Sequence, residues 1–156
     1  MVNKAIIPII VAIPIVLIGA YFILPQFGLN QPTAEQGPIN DLPELLRILV
    51  ANEVPLEMRE GGVVVREMEQ PFFSVDAQVI KIYGEDVQIF EYPTLSAAEN
   101  DVSLVTPDGQ FQTVQVLWVG TVHFYHADRL IAVYVGDNND IVATLEDLLD
   151  PQFAGG

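Results

Sequence analysis

The sequence predicts an α+β fold: a mostly antiparallel sheet with helices gathered mainly on one face, behind an N-terminal transmembrane helix. Three observations carry this. Strand-like runs come in pairs joined by short glycine-containing turns, and strands joined that tightly pair antiparallel. Three other segments repeat apolar residues at helical spacing, and each such stripe needs a sheet to cover it. Ahead of them lies Ala5 to Leu24, AIIPIIVAIPIVLIGAYFIL, without a single charged side chain. The expected division is residues 1–24 as membrane anchor, 25–40 as stalk and 41–156 as an extracytoplasmic domain.

The anchor is read from length. Its 20 residues, at about 1.5 Å each, reach about 30 Å, the thickness of a bilayer's hydrocarbon core. Pro8, Pro14 and Gly19 would harm a helix in water, but in lipid a kinked helix is still the cheapest way to satisfy the backbone. A cleaved signal peptide is the competing reading. The run is longer than the apolar core of such peptides, and Ile18 spoils a small-residue cleavage site at Ala20. Tyr21 and Phe22 sit where interfacial aromatics belong. Lys4 and the amino terminus are the positive groups on the short side, while the other side sets Arg47, Arg59, Arg66, Lys81 and Arg129 against all 21 acidic residues. Positive charge stays inside. The expected arrangement is therefore a single-pass anchor in a cytoplasmic or plasma-type membrane, N-terminus inside and domain outside.

Pro25 to Asn40 carries three prolines and two glycines with no apolar period, which reads as a semi-extended stalk of at most about 50 Å. Asp41 with Glu44 has capping-box spacing and Pro43 suits a first turn. Leu42, Leu45, Leu46, Leu49 and Val50 then form one helical face that ends near Asn52. Val54 to Arg59 and Val63 to Glu69 flank Glu60-Gly61-Gly62 as a first hairpin. Gln70-Pro71-Phe72-Phe73 interrupts the pattern and plugs an edge or corner of the core. Gln78 to Tyr83 and Val87 to Tyr92 flank Gly84-Glu85-Asp86 as a second hairpin. Ser96 with Glu99 starts a short helix whose face holds Leu95, Ala98, Val102 and Val105. Pro107-Asp108-Gly109 is a turn. Thr113 to Val119, TVQVLWV, alternates as a strand and forms the third pair with Leu130 to Val135, LIAVYV, which reads as a central strand buried on both faces. Between them, part of Gly120 to Arg129 continues as strand. Gly136 to Asn139 caps a last helix from about Asp140, with Ile141, Val142, Leu145, Leu148 and Leu149 inward, ended by Asp150-Pro151.

The segments VQIFEYPTLSAAENDVSLVTPDG and HFYHADRLIAVYVGDNNDIVATLEDLLDPQFAG resemble the carboxy-terminal part of small prokaryotic lipoprotein-like proteins. In those a Tyr-rich strand end precedes a helix, a PDG turn follows and the chain closes near QFAG. The likeness covers Val75 to Gly156 and implies no activity, cofactor or site. Two departures stand out: the chain has no cysteine to carry a lipid, so a helix would replace it as anchor, and Val122 stands where proline is expected before HFY.

Composition narrows the function classes. A formal charge of −15 opposes binding to nucleic acid, whose phosphates would repel it, and opposes lying flat on anionic lipid. The acidity fits general solubility in a saline medium or a cationic partner. Zero cysteines exclude disulfides, thiolate metal sites and a cysteine nucleophile. Ser74, Ser96 and Ser103 lie in no nucleophile elbow, and there is no H-E-x-x-H or phosphate-cradling glycine loop. No enzyme activity and no cofactor are expected. His123 and His126, with Asp128 as a third ligand, are the metal candidates. In a strand, residues three apart point to opposite faces, so no shared tight site is expected. Asp137 to Asp140 fails the calcium-loop pattern at Ile141 and reads as a glycine turn with a helix cap. Met58 and Met68 are too few for a methionine-rich copper site. The expected function is that of a membrane-anchored interaction or scaffold domain, an accessory subunit of a membrane complex. Its partners would be the lipid bilayer and another membrane protein, and helix packing would suit the small residues of the anchor. The alternative is an extracytoplasmic small-ligand or metal-binding module.

Overall fold

The computed structural model describes residues 39–156. The anchor Ala5 to Leu24 and most of the stalk lie outside the described residues. Among the described residues no helix is long and apolar enough to cross a membrane.

The first helix, α1 (Leu42–Ala51), begins where its cap dictates. The Asp41 carboxylate accepts from the Glu44 amide at 2.8 Å, and proline occupies the first turn. This satisfies one of the donors that a helix start leaves open. The buried face is Leu42, Leu45, Ile48 and Leu49, while Val50, expected inward, is exposed. Ile39 is buried with this face, so the folded unit takes in the end of the segment read as stalk.

The first hairpin is shorter than expected. Only β1 (Met58–Arg59) and β2 (Gly62–Val63) pair, around Glu60-Gly61. The run to Glu69 then breaks, and β3 (Arg66–Met68) leaves to pair with β4 (Ala77–Ile82). All three β3 residues are exposed, so this edge strand is held by backbone register and by the Arg66–Asp86 ion pair at 2.6 Å. Phe72 and Phe73 are buried as core plugs.

The second hairpin joins β4 to β5 (Glu85–Glu91). Its turn is Tyr83-Gly84 rather than Gly84-Glu85-Asp86, with φ of +49° and +85°. A two-residue turn with both residues left-handed matches the twist of its strands. Then α2 (Leu95–Val102) follows, capped by Thr94 rather than Ser96. Its buried residues are Ala98 and Asp101, and Leu95 is exposed.

The partner of the central strand differs from expectation. β7 (Leu130–Val135) pairs with β6 (Val122–Ala127), and Thr113 to Val119 belongs to no strand. A place beside β7 has both faces covered. Val122 and Phe124 are buried on one face and Tyr125 on the other, whereas Thr113 and Gln115 would put polar groups into a core. The β6–β7 turn is Asp128-Arg129, with Asp128 at φ +49°. After α3 (Asn139–Leu148) the chain returns as β8 (Ala154–Gly155) on the outer edge of β6.

The sheet runs β3-β4-β5-β7-β6-β8, antiparallel throughout. One face, with Ile80, Ile82, Val87, Ile89, Tyr125, Leu130 and Tyr134, is covered by α1 and α3. The other, with Phe90, Tyr92, Phe124, Ile131 and Val133, is covered by α2 and an aromatic layer from the loops. Two helices therefore share a face, and α2 lies opposite.

Candidate interaction surface

The register decides the fate of the two histidines. His123 pairs across to Tyr134 and His126 to Ile131, residues whose side chains serve opposite core layers. His123 is 9% exposed and stacks on Tyr134 at 5.8 Å. Its Nδ1 lies 2.7 Å from Gln152 Oε1 and its Nε2 3.1 Å from the Gly136 carbonyl oxygen. The His126 Nε2 lies 2.8 Å from the backbone oxygen of Asp128, which ties the ring to the β6–β7 turn. The structure does not bring the three candidate ligands to one centre, and no group of three His, Cys, Asp or Glu fit for a metal ion occurs among the described residues. Ala5 and Leu24, the ends of the expected anchor, lie outside the described residues.

The acidic run before α3 is also spent on structure. Asn138 caps the helix through the Asp140 amide at 3.0 Å, and Thr121 donates to Asp137 at 2.6 Å. The Glu85 carboxylate accepts from the Tyr134 hydroxyl at 2.7 Å and the Asn138 amide at 3.1 Å. Those two bonds, Tyr134 first, hold its carboxyl below the usual range. Tyr134 is in turn raised, by burial and then by Glu85.

A second polar group, missed from sequence, lies under α2. Asp101 is 6% exposed. Its Oδ2 accepts from the Ser74 amide at 2.7 Å, the Ser74 hydroxyl at 2.8 Å and the Tyr92 hydroxyl at 2.9 Å. The apolar spacing of α2 hides it, because an aspartate one position from Val102 reads as solvent-facing. Burial, and then Asp101, push the Tyr92 phenol well above its ordinary pKa.

The surface that stands apart is the segment that failed to become a strand. From Thr113 to Val119 the alternation is real: Val114, Val116 and Trp118 pack on the second core layer, while Thr113, Gln115, Leu117 and Val119 face outward. Leu117 is 86% exposed and Val119 100%. Among the described residues, no backbone group of residues 113–120 forms a backbone hydrogen bond. The segment is held by its inner side chains. Trp118 donates to the Gly109 carbonyl at 2.8 Å and sits 5.7 Å from Phe72 and 5.8 Å from Phe124. An open cavity of about 590 Å³ runs alongside, between Asp108, Leu117, Trp118, Val122 and Gly155.

No family model, curated protein or solved structure matches this chain. The chemistry of the surface is therefore read from its own residues. No Asp, Glu, Lys or Arg occurs from Gly109 to Ala127, in a chain that carries 21 acidic residues. An uncharged run whose backbone groups make no backbone hydrogen bond leaves donors and acceptors for a partner to pair with; the chain bends at residues 112–114 and 119–120. The alternation that predicted a strand was the signal for it. What sequence could not supply is that its backbone groups find no backbone partner among the described residues.

Proposed function

We propose that this chain is a single-pass, membrane-anchored interaction protein. Ala5 to Leu24 holds it in the bilayer with Lys4 inside. The α+β domain stands outside the cytoplasm and docks a protein partner through residues 113–120, as an accessory subunit of a membrane complex. The observation that carries the reading is the exposure of Leu117 and Val119 on a segment whose backbone groups form no backbone hydrogen bond among the described residues. Isolated apolar side chains on a surface are ordinary; Leu117 and Val119 beside backbone groups without backbone partners combine apolar contact with available backbone hydrogen bonding, which is how strand-addition sites bind.

Two measurements test it. Protease added to intact cells or spheroplasts is expected to remove the domain and leave a short anchor fragment; full protection would reverse the orientation. A mature chain beginning near Tyr21 would replace the anchor with a signal peptide. Gentle purification from the native membrane is expected to recover a companion with the wild type and lose it with Leu117→Asp/Val119→Asp. Equal recovery would remove this surface from the interaction.

A further inference from the structure

We infer that the partner docked at residues 113–120 presents a basic side chain, an arginine, to the cavity between Asp108 and Trp118. The inference rests on the interaction reading above and names the partner's chemistry.

The cavity, about 590 Å³, has the size of a ligand pocket, about 300–1,000 Å³. Val116, Leu117 and Val122 make its apolar wall, and Asp108 supplies its carboxylate. Trp118 is half-buried and has spent its indole N–H on the Gly109 carbonyl at 2.8 Å. What it offers an occupant is the ring. A guanidinium suits both groups, because it stacks on an aromatic ring and donates two parallel hydrogen bonds to a carboxylate. An anion would be repelled, and an uncharged side chain would leave the carboxylate unmatched.

Asp108 has no cation of its own. Every Lys and Arg of the described residues is ion-paired elsewhere: Arg47 with Glu44, Arg59 with Glu57, Arg66 and Lys81 with Asp86, and Arg129 with Glu91. The Asp108 Oδ1 accepts from the Thr106 hydroxyl, and no hydrogen bond among the described residues engages its Oδ2. The matching charge therefore comes from outside the domain.

The turn that carries Asp108 is set before anything binds. The Gly109 amide donates to the Thr106 carbonyl at 2.8 Å, the Gln110 amide to the Thr106 hydroxyl at 3.1 Å and the Gly155 amide to the Pro107 carbonyl at 3.0 Å. Gly109 is buried at φ +77°, where an added Cβ would lie 2.7 Å from Val122 Cγ1. A carboxylate held this way costs little ordering on binding. The partner segment that fits is apolar where it meets Leu117 and Val119, with one arginine reaching into the cavity beside them.

Trp118 is the single tryptophan of the chain, so its emission reports on this cavity. Full-length protein in uncharged detergent is titrated with the capped peptide Thr-Val-Arg-Val-Thr and with its glutamine counterpart. The arginine peptide is expected to change the emission saturably and to bind about ten-fold tighter, the worth of one ion pair and one cation–ring contact at a half-exposed site. Asp108→Asn, which keeps an acceptor for Thr106, is expected to erase that preference. Asp147→Asn is expected to leave it unchanged, since it removes the same charge from a cavity lined by Asn52, Val54 and Leu148 without an aromatic ring.

Equal binding of the two peptides, or no saturable change with either, overturns the inference. Equal loss of preference in Asp108→Asn and Asp147→Asn also overturns it, by showing a diffuse attraction to an acidic domain. N-acetylarginine amide binding as tightly as the peptide assigns the cavity to a small free cation and refutes the docked segment. Recovery of the companion from native membranes separates this failure from failure of the wider reading. Recovery lost in Leu117→Asp/Val119→Asp but intact in Asp108→Asn refutes the arginine and keeps the surface; recovery intact in both refutes both.

Discussion

Asp101→Ala is the sharpest test of how the second core layer is locked. The three donors on Asp101 Oδ2 fare differently once the carboxylate is gone. Ser74 is exposed, so its amide and hydroxyl turn to water at little cost. Tyr92 is 1% exposed, and its hydroxyl is left buried without an acceptor. A buried donor in that state costs about 1–3 kcal/mol, and lost hydrogen bonds to a charged group add to it. The expected loss is about 2–4 kcal/mol, a large share of a stability that for a domain of this kind is about 5–15 kcal/mol. Urea unfolding of residues 36–156 reads it as a lower midpoint at unchanged slope. The decisive comparison is the double variant. Tyr92→Phe/Asp101→Ala has no orphaned hydroxyl, so it should cost less than the sum of the single changes by about 1–2 kcal/mol. Costs that simply add would show that the hydroxyl does not depend on Asp101, and the proposed lock would be wrong.

Further outcomes follow from the same packing. Leu145, fully buried between α3 and the sheet, should cost about 2–5 kcal/mol as Leu145→Ala, and an unchanged unfolding midpoint would mean that α3 does not pack there. Gly155→Ala should destabilise by about 1–3 kcal/mol in the same assay, because φ is +81° and the added carbon would meet the Val122 carbonyl; a neutral result would detach β8 from β6. Stability should fall with rising pH above about 10. Tyr125 is pushed up to about 12 by burial and then by Glu146, and Tyr92 and Tyr134 are raised as well. The unfolded chain then releases phenolic protons that the folded chain keeps, which favours unfolding by up to about 1.4 kcal/mol per pH unit for each such tyrosine. Unfolding curves that stay flat between pH 10 and 12 would contradict it.

The elements that could be read ahead of the structure are those whose signals are local. Asp41, Pro43 and the leucine stripe define α1 within three turns. The Gly84 turn defines the β4–β5 hairpin, and six apolar residues in a row mark β7 as central. α3 announces itself by its cap and by Ile141 and Leu145. What stayed hidden depends on partners distant in sequence. Alternation in Thr113 to Val119 says which side chains point inward, but not whether the backbone edges find a neighbour. That part of Gly120 to Arg129 is strand was legible, but not that it pairs with β7, because His123 and His126 interrupt its apolar run and its register shows only when Tyr134 and Gln152 are present to receive His123. β8 is two small residues with no pattern of their own. Asp101 reads as a surface aspartate until Tyr92 and Ser74 close over it. The opposite-face placement of His123 and His126 follows from strand period alone.

The most direct test of the account is amide hydrogen exchange at residues 113–120, measured on the full chain in the native membrane and again on the isolated domain of residues 36–156. Free of any partner, these amides have no backbone acceptor among the described residues, so they should exchange at nearly the rate of an unstructured peptide. In the membrane they should slow by about 100-fold or more, as paired strand amides do when opening costs a few kcal/mol. Equal, unprotected exchange in both states, with β5 and β7 protected as a control, would show that nothing docks on this segment.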